Sequence, residues 1–370
     1  LIDAPKPVWC DALFHPSNVD ELFPVVLLMV SEITPNFDIN THLKSMLLYI
    51  EGGIQGNTKP DFTLRQTNEF VCGFYPNPSF VNLSPSDATT RLIKYVESWL
   101  LYDSDSLKNS AVISDLMDFF RKNASLSPSA GSIIQKLQRI STIQEVRCSE
   151  DKIKKVKADQ LPCCLPVEKY VSHMNFIIMQ VYMHLTASGL INSAFQKMDC
   201  TEVITLRNLN DNIIWSVRSA IAVPIAKRDK IVDWWVQAAK TAYTTKNFFL
   251  FFAIMIGMTE GPIERAVLSK TSMREDLKNL RAKIANREAT VREISQMTGF
   301  MIPPLIEYFD KMPSVISRDT SRTRDMAKFF MSVFNGRAQC PQFCVNFQLA
   351  DDLRAFNPQY RSYENFPSLD

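Results

Sequence analysis

The sequence predicts an all-α fold, and three observations support this prediction. Apolar residues recur every three or four positions along much of the 370-residue chain, as they do on the buried face of a helix. The chain contains only 10 glycines, far below the roughly 7% that is usual, and glycine supplies the tight turns of β-hairpins. Hydrophobic residues make up 46% and charged residues 22%, which is typical of globular proteins. We therefore expect a helical protein of one large domain or two smaller ones.

The N-terminal part of the chain predicts several separate helices. Short apolar runs predict two helices at 20–33 and 39–50. A longer helix should begin near Ser86 or Asp87, either of which can cap it, and its apolar stripe contains Leu92, Val96 and Trp99. Apolar periodicity predicts two further helices, at 112–120 and 133–140.

The second half of the chain predicts a core built around one central helix. Residues 248–258 are apolar on every side, as expected for a helix surrounded by others. The neighbouring segments each carry one apolar stripe. These stripes contain Val171, Met174, Ile178, Val181 and Leu185; Trp235, Ala238, Ala239 and Ala242; and Leu277, Leu280 and Ile284.

Composition and motifs exclude several classes of function. The net charge of +2 is too small to indicate nucleic-acid binding, and no glycine-rich phosphate-binding motif is present. The eight cysteines lack the spacing of a zinc site, so we expect reduced thiols, no metal and no cofactor. The longest apolar run is shorter than the roughly 20 residues that span a bilayer. The sequence therefore predicts a cytoplasmic protein without direct membrane insertion.

Residues 167–360 contain five blocks with a distinctive order and spacing. They are NDNIIWSVRSAI at 210–221, an arginine-led helix ending in an Asn-Phe pair at 228–248, a buried helix and Pro-Ile-x-Arg turn at 253–268, GFMIPPLIEYFDKM at 299–312, and CVNFQLADDLRAFNPQY at 344–360. Together they resemble the catalytic domain of the Ras guanine-nucleotide exchange factor (RasGEF) family, of which Son of Sevenless is a member. Residues 88–120 are similar to the N-terminal exchanger motif of the same family.

This resemblance implies a domain organisation and a function. It implies a helical exchanger-motif-like domain at 1–150, a linker at 151–166, and at 167–370 a multi-helical RasGEF catalytic domain with a protruding helical hairpin. The implied partner is a Ras-like small GTPase, and an adaptor protein is a further candidate. Such a factor stabilises the nucleotide-free GTPase and promotes GDP release without covalent chemistry. Recruitment to membranes would then occur through partners.

The resemblance also assigns candidate GTPase-binding residues by position. They are Asn247, Phe248, Arg287, Pro303, Leu305, Tyr308 and Asp310. Two of them have alternative roles that the sequence leaves open. Asn247 is equally suited to cap the apolar helix that follows, and Phe248 is suited to pack in the core.

The predicted hairpin departs from the family pattern. The family places a leucine and, one turn later, an acidic residue where this chain has Pro313 and Ser317, and proline should break the helix. Asp310 and Asp319 are the nearby acidic residues that would substitute in a catalytic role. The alternative function is therefore a catalytically degenerate RasGEF-fold scaffold or adaptor-binding module.

Overall fold

The computed structural model is almost entirely helical over the residues it describes, which confirms the all-α prediction. The described residues are 38–54, 84–108, 110–140, 146, 148–150, 162–196, 200–222, 225–269, 272–315, 323–337 and 340–362. The predicted helix at 20–33 lies outside them. None of the described helices combines the length and the apolar character needed to cross a bilayer.

The described helices and strands are numbered here in chain order. The first half contains α1 (Ile39–Ile54), α2 (Pro85–Tyr102), α3 (Ser104–Lys108), α4 (Val112–Lys122), α5 (Ala130–Gln138) and strand β1 (Cys148–Glu150). The middle contains α6 (Val167–Tyr182), α7 (Ala187–Gln196), α8 (Thr201–Ile221), α9 (Ile225–Thr244), α10 (Phe248–Thr259) and α11 (Pro262–Ser269). The remainder contains α12 (Arg274–Ala285), α13 (Arg287–Ser295), α14 (Leu305–Val315), α15 (Thr323–Phe334), β2 (Phe343–Val345) and α16 (Phe347–Ala355).

Contacts divide the chain into two compact units, each assembled from segments that are distant in sequence. Unit 1 takes the described residues within 1–144, 186–198 and 313–331. Unit 2 takes those within 145–185, 199–312 and 332–370.

The described part of unit 1 contains four of the five predicted N-terminal helices, with α1, α4 and α5 packed in one connected cluster with α2. The predicted stripe of α2 is buried, and Trp99 is 1% exposed. The helix nevertheless starts before the predicted cap. Ser84 is the N-cap, its hydroxyl accepts a hydrogen bond from the Asp87 backbone N–H at 3.2 Å, and Pro85 occupies the first turn. Proline fits there because backbone N–H groups in the first turn of a helix have no partner within the helix, so the missing N–H of proline removes no hydrogen bond.

Unit 2 is built around α10, as the apolar run predicts. Helices α8, α9, α11 and α12 all pack against α10. Ten of its twelve residues are buried, which leaves almost no polar face on this helix. The small residues Ala238, Ala239 and Ala242 of α9 are all fully buried and allow close approach of neighbouring helices.

The start of α10 is tied to the loop that leads into α14. Lys246 has a left-handed backbone with φ of 58°, and a β-bridge joins Asn247 to Ile302. The Phe248 N–H donates to the Ile302 carbonyl, and the Ile302 N–H donates to the Lys246 carbonyl, both at 2.9 Å. This connection brings residues of the second and fourth sequence blocks next to each other.

A second connection holds the C-terminal block on α6. Strands β1 and β2 form a two-stranded parallel sheet in which Ser149 pairs with Cys344. His173 is fully buried on α6, and its Nε2 accepts a hydrogen bond from the Asn346 N–H at 3.0 Å. Its Nδ1 lies 2.7 Å from the Lys169 carbonyl, to which it donates. His173 therefore has a structural role.

Helices α14 and α15 occupy the positions predicted for the helical hairpin. The prediction that Pro313 breaks the first helix is wrong, because α14 continues through it to Val315. Pro313 lies in the last described turn, where it removes only one backbone hydrogen bond. The connecting residues 316–322, which include Ser317 and Asp319, lie outside the described part of the chain.

Candidate functional site

The structure places the predicted site residues together in unit 2, but it buries most of them. Five of the seven are buried: Asn247, Phe248, Pro303, Leu305 and Tyr308. Arg287 and Asp310 are the two with solvent-accessible side chains, which are 41% and 59% exposed. Surface recognition by this set of residues would therefore depend mainly on these two charges.

Asn247 is a structural cap in this conformation. Its side chain is 0% exposed, and its Oδ1 accepts a hydrogen bond from the Leu250 N–H at 2.9 Å. Its Nδ2 donates to Oδ1 of the buried Asn175 at 2.6 Å. The capping alternative is thus confirmed, and Phe248 beside it packs in the core against Tyr243 with ring centroids 5.5 Å apart.

Tyr308 joins the two arms of the predicted hairpin near their roots. It is 3% exposed, and burial raises the pKa of its hydroxyl to about 12. The proximity of the Ser332 side chain opposes this shift. Since Ser332 lies on α15, this contact connects the two helices.

Around Arg287 and Asp310 lies a cluster of six charged residues, which we call the charged surface. It consists of Arg207, Arg218, Glu260, Arg287, Glu307 and Asp310. Helix α8 contributes the first two, Glu260 follows α10, Arg287 begins α13, and α14 contributes the last two. Residues 207 and 218 are 11 positions apart, which is close to three helical turns, so they share one side of α8.

The charged surface consists of three ion pairs. Arg207 pairs with Asp310 at 3.0 Å, and Arg218 pairs with Glu260 at 2.9 Å. Arg287 pairs with Glu307. Each of these pairs joins residues from different elements and thereby links α8, α13 and α14 with the end of α10.

Each of the three arginines also lies over an aromatic ring. Arg207 is 5.9 Å from the ring centre of Phe309. Arg218 is 4.7 Å from that of Trp215, and Arg287 is 5.7 Å from that of Phe252. Because cation–π contacts orient the planar guanidinium as well as attract it, these rings hold the arginines in defined positions.

Burial and charge shape the electrostatics of this surface. Burial lowers the pKa of Arg287, while the negative charges of Asp310 and Glu260 oppose that shift. Arginine starts from so high a pKa that it remains charged at neutral pH. Glu260 and Asp310 are more than half exposed, whereas the Glu307 side chain is 10% exposed. The surface therefore presents two accessible carboxylates, with arginines held beneath or beside them.

This arrangement is suited to protein recognition. A partner could replace one member of an internal ion pair with its own charge, so the same arginine or carboxylate would remain paired in both states.

Among the described residues, no group of three or more His, Cys, Asp and Glu side chains could hold a metal ion.

The sequence prediction missed four members of the charged surface. Arg207 and Arg218 carry the one available signal, which is their three-turn spacing on α8. Glu260 and Glu307 carry no comparable signal, because their partners lie 42 and 20 residues away in the chain.

Comparison with known protein families finds a match that covers much of unit 2 and reaches into the hairpin helices. The family model of the RasGEF domain matches residues 169–329, which is less than half of the chain and includes all six residues of the charged surface. A search of curated proteins finds no matching relative. The matched segment is therefore similar to RasGEF domains.

Proposed function

We propose that this chain is a guanine-nucleotide exchange factor that binds a Ras-family small GTPase, stabilises its nucleotide-free state and promotes GDP release. The match of the RasGEF domain to residues 169–329 carries this proposal. The predominantly helical unit 2 built around α10 agrees with it.

Exchange of this kind depends on differential binding. A protein that binds the nucleotide-free GTPase more tightly than the loaded form weakens nucleotide binding by the same factor, because the two equilibria are linked. A shift of about 10⁴-fold in occupancy requires roughly 5.5 kcal/mol of differential affinity. The chain would supply this energy through non-covalent contacts alone.

We place the principal GTPase contacts on the charged surface, with Arg287 and Asp310 as the residues most accessible to the partner among those predicted. The buried members of the predicted set support the fold beneath this surface and do not contact the partner. Asn247 fixes the start of α10, and Tyr308 joins α14 to α15. Asp319 stays a predicted catalytic residue outside the described chain.

A nucleotide-release assay tests this proposal. A panel of Ras-family GTPases loaded with fluorescent GDP is mixed with the chain, and release is followed by the fall in fluorescence. We expect faster release from at least one member. Asp310→Ala and Arg287→Ala should each reduce the acceleration by about tenfold, which corresponds to 1.4 kcal/mol.

Arg292→Ala is the matched control for the arginine variant. Arg292 is exposed on the same helix as Arg287 but is not part of the charged surface. Its replacement should leave release unchanged. If Arg287→Ala and Arg292→Ala reduce the acceleration of release equally, the charged surface is not the site of the GTPase contacts.

The second candidate function is a catalytically degenerate RasGEF-fold scaffold or adaptor-binding module. It is favoured by Pro313 at the position of the family's leucine and by the engagement of Asp310 with Arg207. Binding of a nucleotide-free GTPase or an adaptor without any acceleration of release would support this function over exchange. Three expectations from the sequence stay predictions. They are the division into domains at 1–150, 151–166 and 167–370, the presence of an exchanger motif, and cytoplasmic localisation.

A further inference from the structure

The roots of α14 and α15 meet near one buried arginine that the charged surface does not include. Arg337 ends the 3₁₀ turn Asn335–Arg337, which directly follows α15, and it is 6% exposed. Its guanidinium donates a hydrogen bond to the Leu185 carbonyl just beyond the end of α6. The same group lies 4.8 Å from the ring centre of Tyr182 and 4.4 Å from that of Phe334.

A second hydrogen bond runs between the same two elements in the opposite direction. The hydroxyl of Tyr182, on α6, donates to the Val333 carbonyl in the last turn of α15. Tyr182 is fully buried, and its ring also supports the Arg337 guanidinium. The two bonds therefore form a reciprocal clamp between the end of α6 and the end of α15.

The clamp continues to the loop that precedes α14. A Cβ atom added to Gly336 would lie 2.2 Å from the Met301 carbonyl oxygen, so the backbones of the turn and the loop approach closely. Helix α14 begins at Leu305, four positions after Met301. The contact between Tyr308 and Ser332 then joins the two helices directly.

We propose that Arg337 is a positioning residue that holds the roots of α14 and α15 on the end of α6, and thereby fixes Asp310 within the charged surface. Its consequence for nucleotide release rests on the proposed exchange function, whereas its effect on the helix roots does not. Arginine is required because its planar guanidinium can stack on two rings and still donate in plane to a carbonyl. Lysine provides the charge without this geometry.

Hydrogen exchange of the full chain, measured by mass spectrometry, tests the positioning role without any GTPase. In Arg337→Met, peptides covering 305–312 and 332–337 should exchange at least tenfold faster, while peptides from α12 keep their wild-type rates. Arg337→Lys should fall between wild type and the methionine variant. Unchanged exchange at both roots, or an equal increase in α12, would overturn the proposal.

Tyr182→Phe provides a second variant with a smaller perturbation. It removes only the hydroxyl that donates to Val333 and keeps the ring beneath Arg337. We expect faster exchange at 332–337 with the α12 peptides unchanged, even if Arg337→Met fails to fold. No change at 332–337 in this variant would refute the clamp.

Nucleotide release gives the functional readout. On a GTPase that the wild-type chain activates, Arg337→Met should lower the maximal release rate about tenfold and leave the half-saturating concentration within twofold. A raised half-saturating concentration with an unchanged maximal rate would contradict positioning of the hairpin. If the wild-type chain accelerates no GTPase, the proposed function fails, while the hydrogen-exchange result still decides the role of Arg337.

Discussion

Replacing Asn247 with alanine should destabilise unit 2, because this buried side chain makes hydrogen bonds in two directions. It caps α10 through Leu250 at 2.9 Å and donates to Asn175 at 2.6 Å. Loss of a helix cap costs about 1 kcal/mol. A buried amide oxygen left without its donor, as Asn175 would be, costs a further ~1–3 kcal/mol. We expect the free energy of unfolding to fall by about 2–4 kcal/mol.

Asn346→Ala is the matched control for this prediction. Asn346 caps α16 by accepting a hydrogen bond from the Leu349 N–H, also at 2.9 Å, but it is only half-buried. Its replacement removes a cap worth about 1 kcal/mol and leaves the Asn247–Asn175 pair in place. Urea denaturation followed by circular dichroism at fixed temperature measures both losses, and we expect the larger loss for Asn247→Ala.

A double-mutant cycle with Asn175→Ala then tests the pair directly. The two amides touch, so the double variant should lose about 1–2 kcal/mol less than the sum of the single variants. Equal losses in the Asn247 and Asn346 variants, or additive losses in the cycle, would refute the reasoning. Retained stability together with a collapse in nucleotide release would instead assign Asn247 a direct role toward a GTPase.

Three further predictions concern backbone geometry and a partly buried thiol. Lys246→Gly should raise the midpoint of thermal unfolding and stabilise the chain by about 0.5–1 kcal/mol, because glycine adopts a φ of 58° without strain; Lys246→Ala should give no such gain. Gly336→Ala should lower the urea midpoint and cost about 1–3 kcal/mol, since its Cβ would overlap a loop carbonyl, whereas Gly131→Ala meets no atom within 4 Å and should not destabilise. Burial raises the pKa of the Cys163 thiol from an ordinary value near 9 to about 12. The thiol of the unfolded chain therefore loses its proton at a lower pH than the thiol of the folded chain. As a result, the free energy of unfolding should fall as the pH rises from about 9 to about 12. Urea midpoints across that range should fall less steeply in Cys163→Ala, and an unaltered slope would contradict the assignment.

The general features of the fold could be predicted from local sequence patterns. The run at 248–258 is apolar on all sides, and a helix of that kind has stable packing only in the centre of other helices. The stripe of α2 could be predicted for the same reason. Its first residue was harder to predict, because Ser84, Ser86 and Asp87 are all good caps and the choice depends on where Pro85 fits in the first turn.

The candidate site was less predictable, because its ion pairs join residues that are far apart in sequence. The Arg207–Asp310 pair spans 103 positions, and no local pattern signals it. Family resemblance identified the position of Asn247, but only the structure shows its side chain turned into the core. The sequence also overstated the effect of Pro313, because α14 continues through it to Val315.

The composition of the charged surface has a consequence for the speed at which a partner arrives. Its three arginines and three carboxylates cancel, and the Arg207–Asp310 and Arg218–Glu260 pairs are closed at 3.0 and 2.9 Å. Such short dipoles produce little potential beyond a Debye length, which is about 8 Å at physiological ionic strength. Long-range attraction would therefore contribute little to the encounter, and the association rate should depend weakly on salt. Selectivity at this surface would arise after contact, from whether a partner can replace the charges that the protein already pairs within itself.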